Sequence, residues 1–502
     1  MNIHTVLAGF ARPSLTISTI AISALALASC ATVQPDTAQV AQAALSRADR
    51  AMGGMAVKSI RFAGSGTGAT FGQAFQPNMS WPKIVYSSFA RVADYENGAF
   101  REDAARSRAE PTGGGAVPLI GTGEQRTTGL MRDAMAWNLT GPAPVSAPLA
   151  VSTRVHDLWT SPHGVIKAAL QNKATAQSIN EGGRALTAVS FEKAGFFKAT
   201  AMINAEGLVE RVESMLPNPV LGDTVVTTQY SDYKDWNGVK FPTRIRQSMA
   251  STEVLDLTVN EVEVNNVASI EVPALVKTAV ERVTADQVAE GVWMMGGGSH
   301  NSVAIEMGDH MMVVEAPLYD GRTLPMLAEV RKLNPTKPIR FVVNSHHHFD
   351  HAGGLRAAAA EGIELVTSAQ AKPYFERVMT NPNSISPDAL QKSGRKVVVS
   401  GVDSKRVFTD NKRVAEVYFI DSSVHAQGFM MVYLPGEKLL IEADAFTPGP
   451  PNSPPPARVN DNHVSLVQNI ERLKLNVERI APLHGRVVPI GELYAAIGRS
   501  KP

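Results

Sequence analysis

Cysteine is nearly missing: the 502-residue chain carries one, Cys30. A single thiol excludes an internal disulfide framework and any Cys-rich zinc knuckle. Neither sign of charge is in excess, with 48 Lys+Arg against 47 Asp+Glu and a formal net charge of +1. That balance gives no electrostatic case for a nucleic-acid partner. Low-complexity blocks are absent and charged residues make up 19% of the chain, which excludes wholesale disorder. No G-x-S-x-G occurs, so a serine nucleophile on a strand-to-helix elbow is not in view. What the chain has is length. Its 502 residues exceed what one compact domain normally fills, and two domains are expected.

Residues 13–30 (PSLTISTIAISALALASC) are uncharged and follow Arg12. An apolar run behind a basic residue reads as a secretory signal peptide, a little short for a span of about 20 residues. Leu27-Ala28-Ser29-Cys30 resembles the lipobox of bacterial lipoproteins. That resemblance implies acylation of Cys30 and a membrane anchor through the lipid chains. Ordinary cleavage after Ala26-Leu27-Ala28 is the alternative. Either way the mature chain is expected outside the cytoplasm, as a lipoprotein on the periplasmic side of a bacterial envelope membrane or as a soluble periplasmic or secreted protein.

Residues 31–275 are expected to form an antiparallel, β-rich α+β domain. One amphipathic helix is expected over Val40–Gly53, and a helical segment over Ala150–Leu170, interrupted by Ser161-Pro162-His163-Gly164. Residues 56–145, with short apolar runs among Gly, Pro, Ser and Thr, read as strands and long loops. Ala199–Asn204, Leu208–Met215, Asp223–Tyr230, Thr243–Met249 and Leu255–Val264 read as strands with turns between them, hence a curved antiparallel sheet. The run YSDYKDWNGVKFPTRI (230–245) loosely resembles half-barrel domains of the lipoprotein-sorting kind, which hold acyl chains; a β-rich module without a ligand is the alternative. No chemistry is evident in this region.

The pattern changes near Pro273–Asp286. Strands are expected at Val292–Met295, Ser302–Met307, Met311–Glu315 and Ile339–Val343, with a helix at Thr323–Leu333. Residues 277–502 therefore read as an α/β sandwich. Residues 342–354 then read VVNSHHHFDHAGG. A strand exit followed by a helix start aims His346, His348, Asp350 and His351 into one small volume. Imidazoles and a carboxylate suit a borderline-soft dication, and burying so many polar groups together without a cation is costly.

His346-x-His348-x-Asp350-His351 resembles the signature of the metallo-β-lactamase superfamily, over about 226 residues of this chain. The resemblance implies an αββα sandwich with the metals at one end. It also implies three later ligands: His425 before the strand Met430–Leu434, Asp444 at the end of Lys438–Ile441, and His484 after a helix at Val464–Leu475. Carried over, His346, His348 and His425 hold one metal, Asp350, His351 and His484 a second, and Asp444 bridges them. The cofactors implied are two divalent metal ions, zinc first, with iron or manganese as alternatives. His347 is expected to point away from the metals. His300, in a Gly-rich loop (GGGSHNS), and His463, after the Pro-rich run 446–456, are candidate substrate contacts. Asp309 and His310 read as a solvated hairpin turn.

The reaction class implied is metal-assisted hydrolysis, with Asp350 orienting the nucleophile. True β-lactamases of this fold usually carry Cys or Ser where Asp444 stands, so the superfamily name is not the activity. A small-molecule ester, lactone or amide fits an apolar cleft border (FTPGPPNSPPP, 446–456). Two other classes stand beside it: a mononuclear-iron persulfide dioxygenase of the same fold, and a non-enzymatic lipoprotein that binds lipid or a partner.

Overall fold

The structure, a computed structural model, describes residues 37–109, 115, 123–454 and 458–500. The signal-peptide and Cys30 expectations lie outside those residues. No helix among the described residues is long and apolar enough to cross a membrane.

The first sheet is a 13-stranded antiparallel meander spanning Ser59–Ala69 to Thr252–Val264 in sequence. Its two runs of hairpins meet where Ser59–Ala69 pairs with Thr252–Val264. Helix Thr37–Ala51 buries Ala41, Ala44, Leu45 and Ala48, an i, i+3, i+4, i+7 stripe. Val151–Trp159 and Pro162–Gln171 cover more of the same face, and their apolar side chains join Phe62, Phe89 and Phe197 in one core. The two helices split at Ser161-Pro162, where proline takes the first helical turn. Seven adjacent strands, from Ala99–Arg108 round to Val209–Asn218, contribute to the wall of one cavity, so the sheet is curled.

Residues 56–145 hold strands, and long ones: Ser59–Ala69, Lys83–Asp94 and Ala99–Arg108 among them. Gly64, Gly66 and Gly68 lie in the first of these, and a Cβ on them would stand 2.0, 2.1 and 2.5 Å from carbonyl oxygens of the adjacent strand. These glycines admit close backbone approach rather than mark turns.

The C-terminal half is a mixed α/β sandwich, as expected. One sheet has seven strands, antiparallel from Thr284–Ala289 to Met311–Val314 and parallel from there to Val399–Val402. The other has six, from Lys405–Thr409 to Val488–Pro489. Val303, Ile305, Met312 and Val314 of one face Val417, Val432 and Ile441 of the other in a shared core. Helices Asp320–Leu333, Leu355–Ala360 and Lys372–Val378 cover one outer face, and Asp461–Arg472 and Ile490–Ala496 the opposite one. Strands Met311–Val314, Met430–Leu434 and Leu439–Glu442 are buried at every position, the pattern of strands covered on both faces.

The two halves are sewn together beside the HHHFDH segment. Phe71 meets Trp81 and Phe349 edge-on, with centroids 4.3 and 5.1 Å apart. Phe349 N–H donates to Gly72 O at 3.2 Å, and Gln427 N–H to Phe75 O at 2.7 Å. Gly72 has φ +78°, and a Cβ there would sit 2.4 Å from the Phe349 ring, so only glycine fits.

Candidate metal centre

The centre is built at the ends of strands. Strand Ile339–Val343 runs out into an extended stretch, in which His346 and His348 share a side and His347 takes the other. His347 turns its Nε2 to Ala74 O at 2.8 Å, away from the ligand atoms, as expected. His348 then starts the one-turn helix Phe349–Ala352, which lifts Asp350 and His351 to the same side. The following glycines allow close packing. A Cβ on Gly353 would stand 1.9 Å from Leu318 O, and one on Gly354 the same distance from Thr323 Oγ1. From the second sheet, Asp444 lies two residues beyond Leu439–Glu442 and His484 two beyond Arg479–Pro482, which pairs parallel to it. His425 follows Val414–Phe419, its N–H held by Ser423 Oγ at 3.2 Å.

Two clusters result. His346, His348, His425 and Asp444 bring one ligand atom each within 4.8 Å of one another, and so do His300, Asp350, His351 and His484. In the first, His346 Nε2 is 2.9 Å from His348 Nδ1 and 3.2 Å from His425 Nε2. In the second, His351 Nε2 is 3.2 Å from His484 Nε2, and His300 Nε2 is 3.3 Å from Asp350 Oδ2. Asp444 reaches both: its Oδ2 is 2.8 Å from His425 and 3.1 Å from His351, and its Oδ1 is 2.8 Å from His484.

The outward nitrogens decide what the inward ones carry. His348 Nε2–H donates to Ala74 O at 2.9 Å, and His484 Nδ1–H to Ser299 O at 3.0 Å. His351 Nδ1–H donates to Glu315 Oε2 at 3.1 Å. Ser345 Oγ gives its hydrogen to the same Glu315 oxygen at 2.5 Å and accepts from His346 Nδ1–H at 2.9 Å. Neutral His346 and His348 thus point lone pairs at each other across 2.9 Å. Two lone pairs at that distance repel unless a cation sits among them.

Titration agrees. Burial, reinforced by the charge on His351, pushes His346 well below the ordinary histidine value, and burial beside His346 and His425 does the same to His348. No proton is available to separate the lone pairs. Burial disfavours charge on His351 too, but Asp444 and Asp350 outweigh it and hold that ring well above its usual pKa. Asp350 and Asp444 stay ionised against burial, chiefly because of His351. This donor set, imidazole and carboxylate with oriented outer partners, fits a pair of divalent cations.

The N-terminal half also reaches the centre, which corrects the expectation that it carries no chemistry. Besides the Ala74 carbonyl, Gln73 Nε2 donates to Asp350 Oδ1 at 2.8 Å. Gly115 lies so close that a Cβ there would stand 2.5 Å from His348 Cε1 and 2.6 Å from His425 Cε1. Gln73, Ala74, Gly115, Glu315 and Ser299 went unread in the sequence. Only Glu315 left a trace there, as an acid closing a strand buried throughout.

Of the two candidate substrate contacts, His300 joins the second cluster and His463 joins neither, lying edge-on to Phe446 at 5.0 Å. Burial lowers the pKa of His300 and takes that of His463 to about 4. Phe446 N–H donates to Glu442, and Pro448 lies against Gly485, so the Pro-rich run passes beside His484; its residues 455 and 456 lie outside the described ones. His310 corrects another expectation. It is buried rather than solvated, bonded to Asp309 at 2.7 Å and edge-on to Phe341.

Residues 295–484 match the family model of the metallo-beta-lactamase superfamily, and the sandwich has that fold. Among solved structures, similarity is found to a metallo-beta-lactamase from Pontibacter korlensis at 16% identity, covering 43% of this chain and 98% of that one, with a TM-score of 0.34. The metallo-beta-lactamase FIM-1 from Pseudomonas aeruginosa, in a mono-zinc form, shares 20% identity over 43% of this chain and 93% of its own, with a TM-score of 0.33. A metallo beta lactamase from Hirschia baltica shares 19% over 44% and 99%, also with a TM-score of 0.33. No curated protein sequence matches the chain significantly.

Proposed function

We propose that this protein is a binuclear metal-dependent hydrolase that opens an ester, lactone or amide of a small molecule. The observation that carries the reading is Asp444, whose two carboxylate oxygens reach histidines of both clusters at 2.8 Å. When bound, two divalent cations supply Lewis acidity and bring the pKa of water toward ~7.

The chain's own residues do the rest. Asp350 has one oxygen tied to Gln73 and turns the other to His300. Ionised and about a third exposed, at 32% of its side chain, it can accept a hydrogen bond from an attacking water and orient it. His300 is the adjacent polar contact for substrate. Glu315, Ser299 and Ala74 fix three ligand rings, so no reorganisation is needed as charge develops. The reaction needs no side-chain nucleophile. The apolar Phe446 and Pro448 beside the second cluster favour an acyl compound over a highly charged one.

The test is a panel of ester, lactone, amide, thioester, phosphodiester and β-lactam reporters, with metal content measured alongside. About two metal ions per chain and chelator-sensitive acyl hydrolysis are expected. One iron per chain with oxygen uptake on a persulfide substrate would favour the dioxygenase reading instead. The lipid anchor at Cys30 belongs to the same proposal, and Cys30→Ala tests it: the mature protein should leave the membrane fraction.

A further inference from the structure

A cavity of about 870 Å³ lies between the curled sheet and the metal domain, within the range of small-molecule sites. Its wall includes Asp350, Gln73 and Phe349, so it opens onto the second cluster. Away from that cluster the wall is mixed, and its apolar part includes Phe89, Leu216, Met249 and Leu255 from the sheet and Leu149 from the segment leading into the helix pair.

Its charged wall groups are nearly all matched. Arg91 is bonded to Glu102 at 3.0 Å and to Asp157 at 3.1 Å. Asp388 is paired with Arg356, and Asp320 accepts the Ala389 N–H at 2.7 Å. Arg106 differs. Its guanidinium has no counter-ion among the described residues, and its Nε is buried without a hydrogen-bond partner. Tyr86 stands directly opposite Arg106 on the neighbouring strand, on the same face, and lines the same cavity. Burial pushes the Tyr86 hydroxyl up to about 12, so it remains a donor at neutral pH. A half-buried cation beside a free hydroxyl on this wall lacks an anion.

We infer that this cavity holds the apolar body of a substrate that ends in a carboxylate, received by Arg106 and Tyr86, while the bond to be broken lies at the Asp350 end. The bond cleaved rests on the hydrolase reading above; the binding site does not.

The test uses the metal-loaded, full-length protein and the fluorescent probe 11-(dansylamino)undecanoic acid, with 11-(dansylamino)undecanol as its uncharged counterpart. The acid should bind saturably and at least about 10-fold more tightly than the alcohol, the scale of a charge-assisted bond. That ratio should fall to about one in Arg106→Gln, recover in part in Arg106→Lys, and shrink a few-fold in Tyr86→Phe. No saturable binding of the acid, or a ratio unaffected by Arg106→Gln, would overturn the inference. Nitrophenyl esters of acetate, octanoate and monosuberate separate the two readings. With both correct, Arg106→Gln lowers kcat/KM at least about 10-fold for the monosuberate ester alone. Turnover of all three without that selectivity sinks the binding site and keeps the hydrolase. Turnover of none, with the probe pattern intact, does the reverse.

Discussion

His348 gives its Nε2 hydrogen to the main-chain carbonyl of Ala74, 2.9 Å away and 274 positions distant in sequence. A residue of the curled sheet's domain thereby selects the tautomer of a metal-ligand candidate in the other half. Its neighbour Gln73 holds Asp350, donating from its side-chain Nε2 to Oδ1. Because Ala74 acts through its backbone, Gln73 is the position to vary. Gln73→Ala should weaken metal retention by about 10- to 100-fold, the usual effect of losing an orienting partner. Competition against a graded series of chelators reads it directly. Retention equal to wild type would mean that the N-terminal half merely leans on the centre.

What the sequence revealed, and what it hid, follows from distance along the chain. HHHFDH was legible because strand exit, helix start and glycine pair lie within one short run. His425, Asp444 and His484 were legible because the resemblance calls for them in that order and each has a readable neighbour: a strand after His425, a strand before Asp444 and a helix before His484. Gln73 and Ala74 were not, since a backbone carbonyl leaves no residue-type signal and its partner lies in the other half. The long strand Ser59–Ala69 was hidden by Gly64, Gly66 and Gly68, which punctuate most sequences as turns but here let strands approach closely. Arg106 and Tyr86 face each other only because of the register between Lys83–Asp94 and Ala99–Arg108, which no local pattern states.

Glu315 is fully buried and accepts four hydrogen bonds: Oε1 from Asn344 Nδ2 and Ser345 N, Oε2 from Ser345 Oγ and His351 Nδ1. Glu315→Gln keeps the shape but turns one acceptor into a donor, facing donors. The expected cost is about 1–3 kcal/mol in unfolding free energy, with metal affinity reduced by about 10- to 100-fold through His351. Denaturant titration and chelator competition measure the two effects. If neither moves, His351 is not oriented by this carboxylate.

Asp444 offers a sharper test of the two-cation reading. Its carboxylate reaches ligand candidates of both clusters. In Asp444→Ala, metal content should fall from about two ions per chain to one or fewer, and hydrolysis by at least about 100-fold, more than for an orienting residue. Elemental analysis alongside turnover decides it. Full metal content in the variant would leave the clusters as independent sites.

The acid limit of stability should be set partly by a histidine far from the metals. His163, near the start of helix Pro162–Gln171, is buried, stacked on Phe241, and bonded through Nε2 to Met52 O at 3.2 Å. Burial lowers its pKa to about 4, against about 6.5 in the unfolded chain. A depressed histidine is neutral in the fold while the unfolded chain takes up a proton. Its contribution is therefore complete above pH ~6.5 and is lost as pH falls toward 4. At ~1.4 kcal/mol per pKa unit, the loss approaches about 3 kcal/mol. His163→Gln can still donate to Met52 O and carries no titratable ring. Measured by denaturant unfolding of the metal-loaded protein, wild type should lose stability more steeply than this variant between pH 6.5 and 4. Metal release acts on both proteins alike over that interval, so the difference between them isolates His163, and parallel curves would show that its ring stays accessible to protons in the fold.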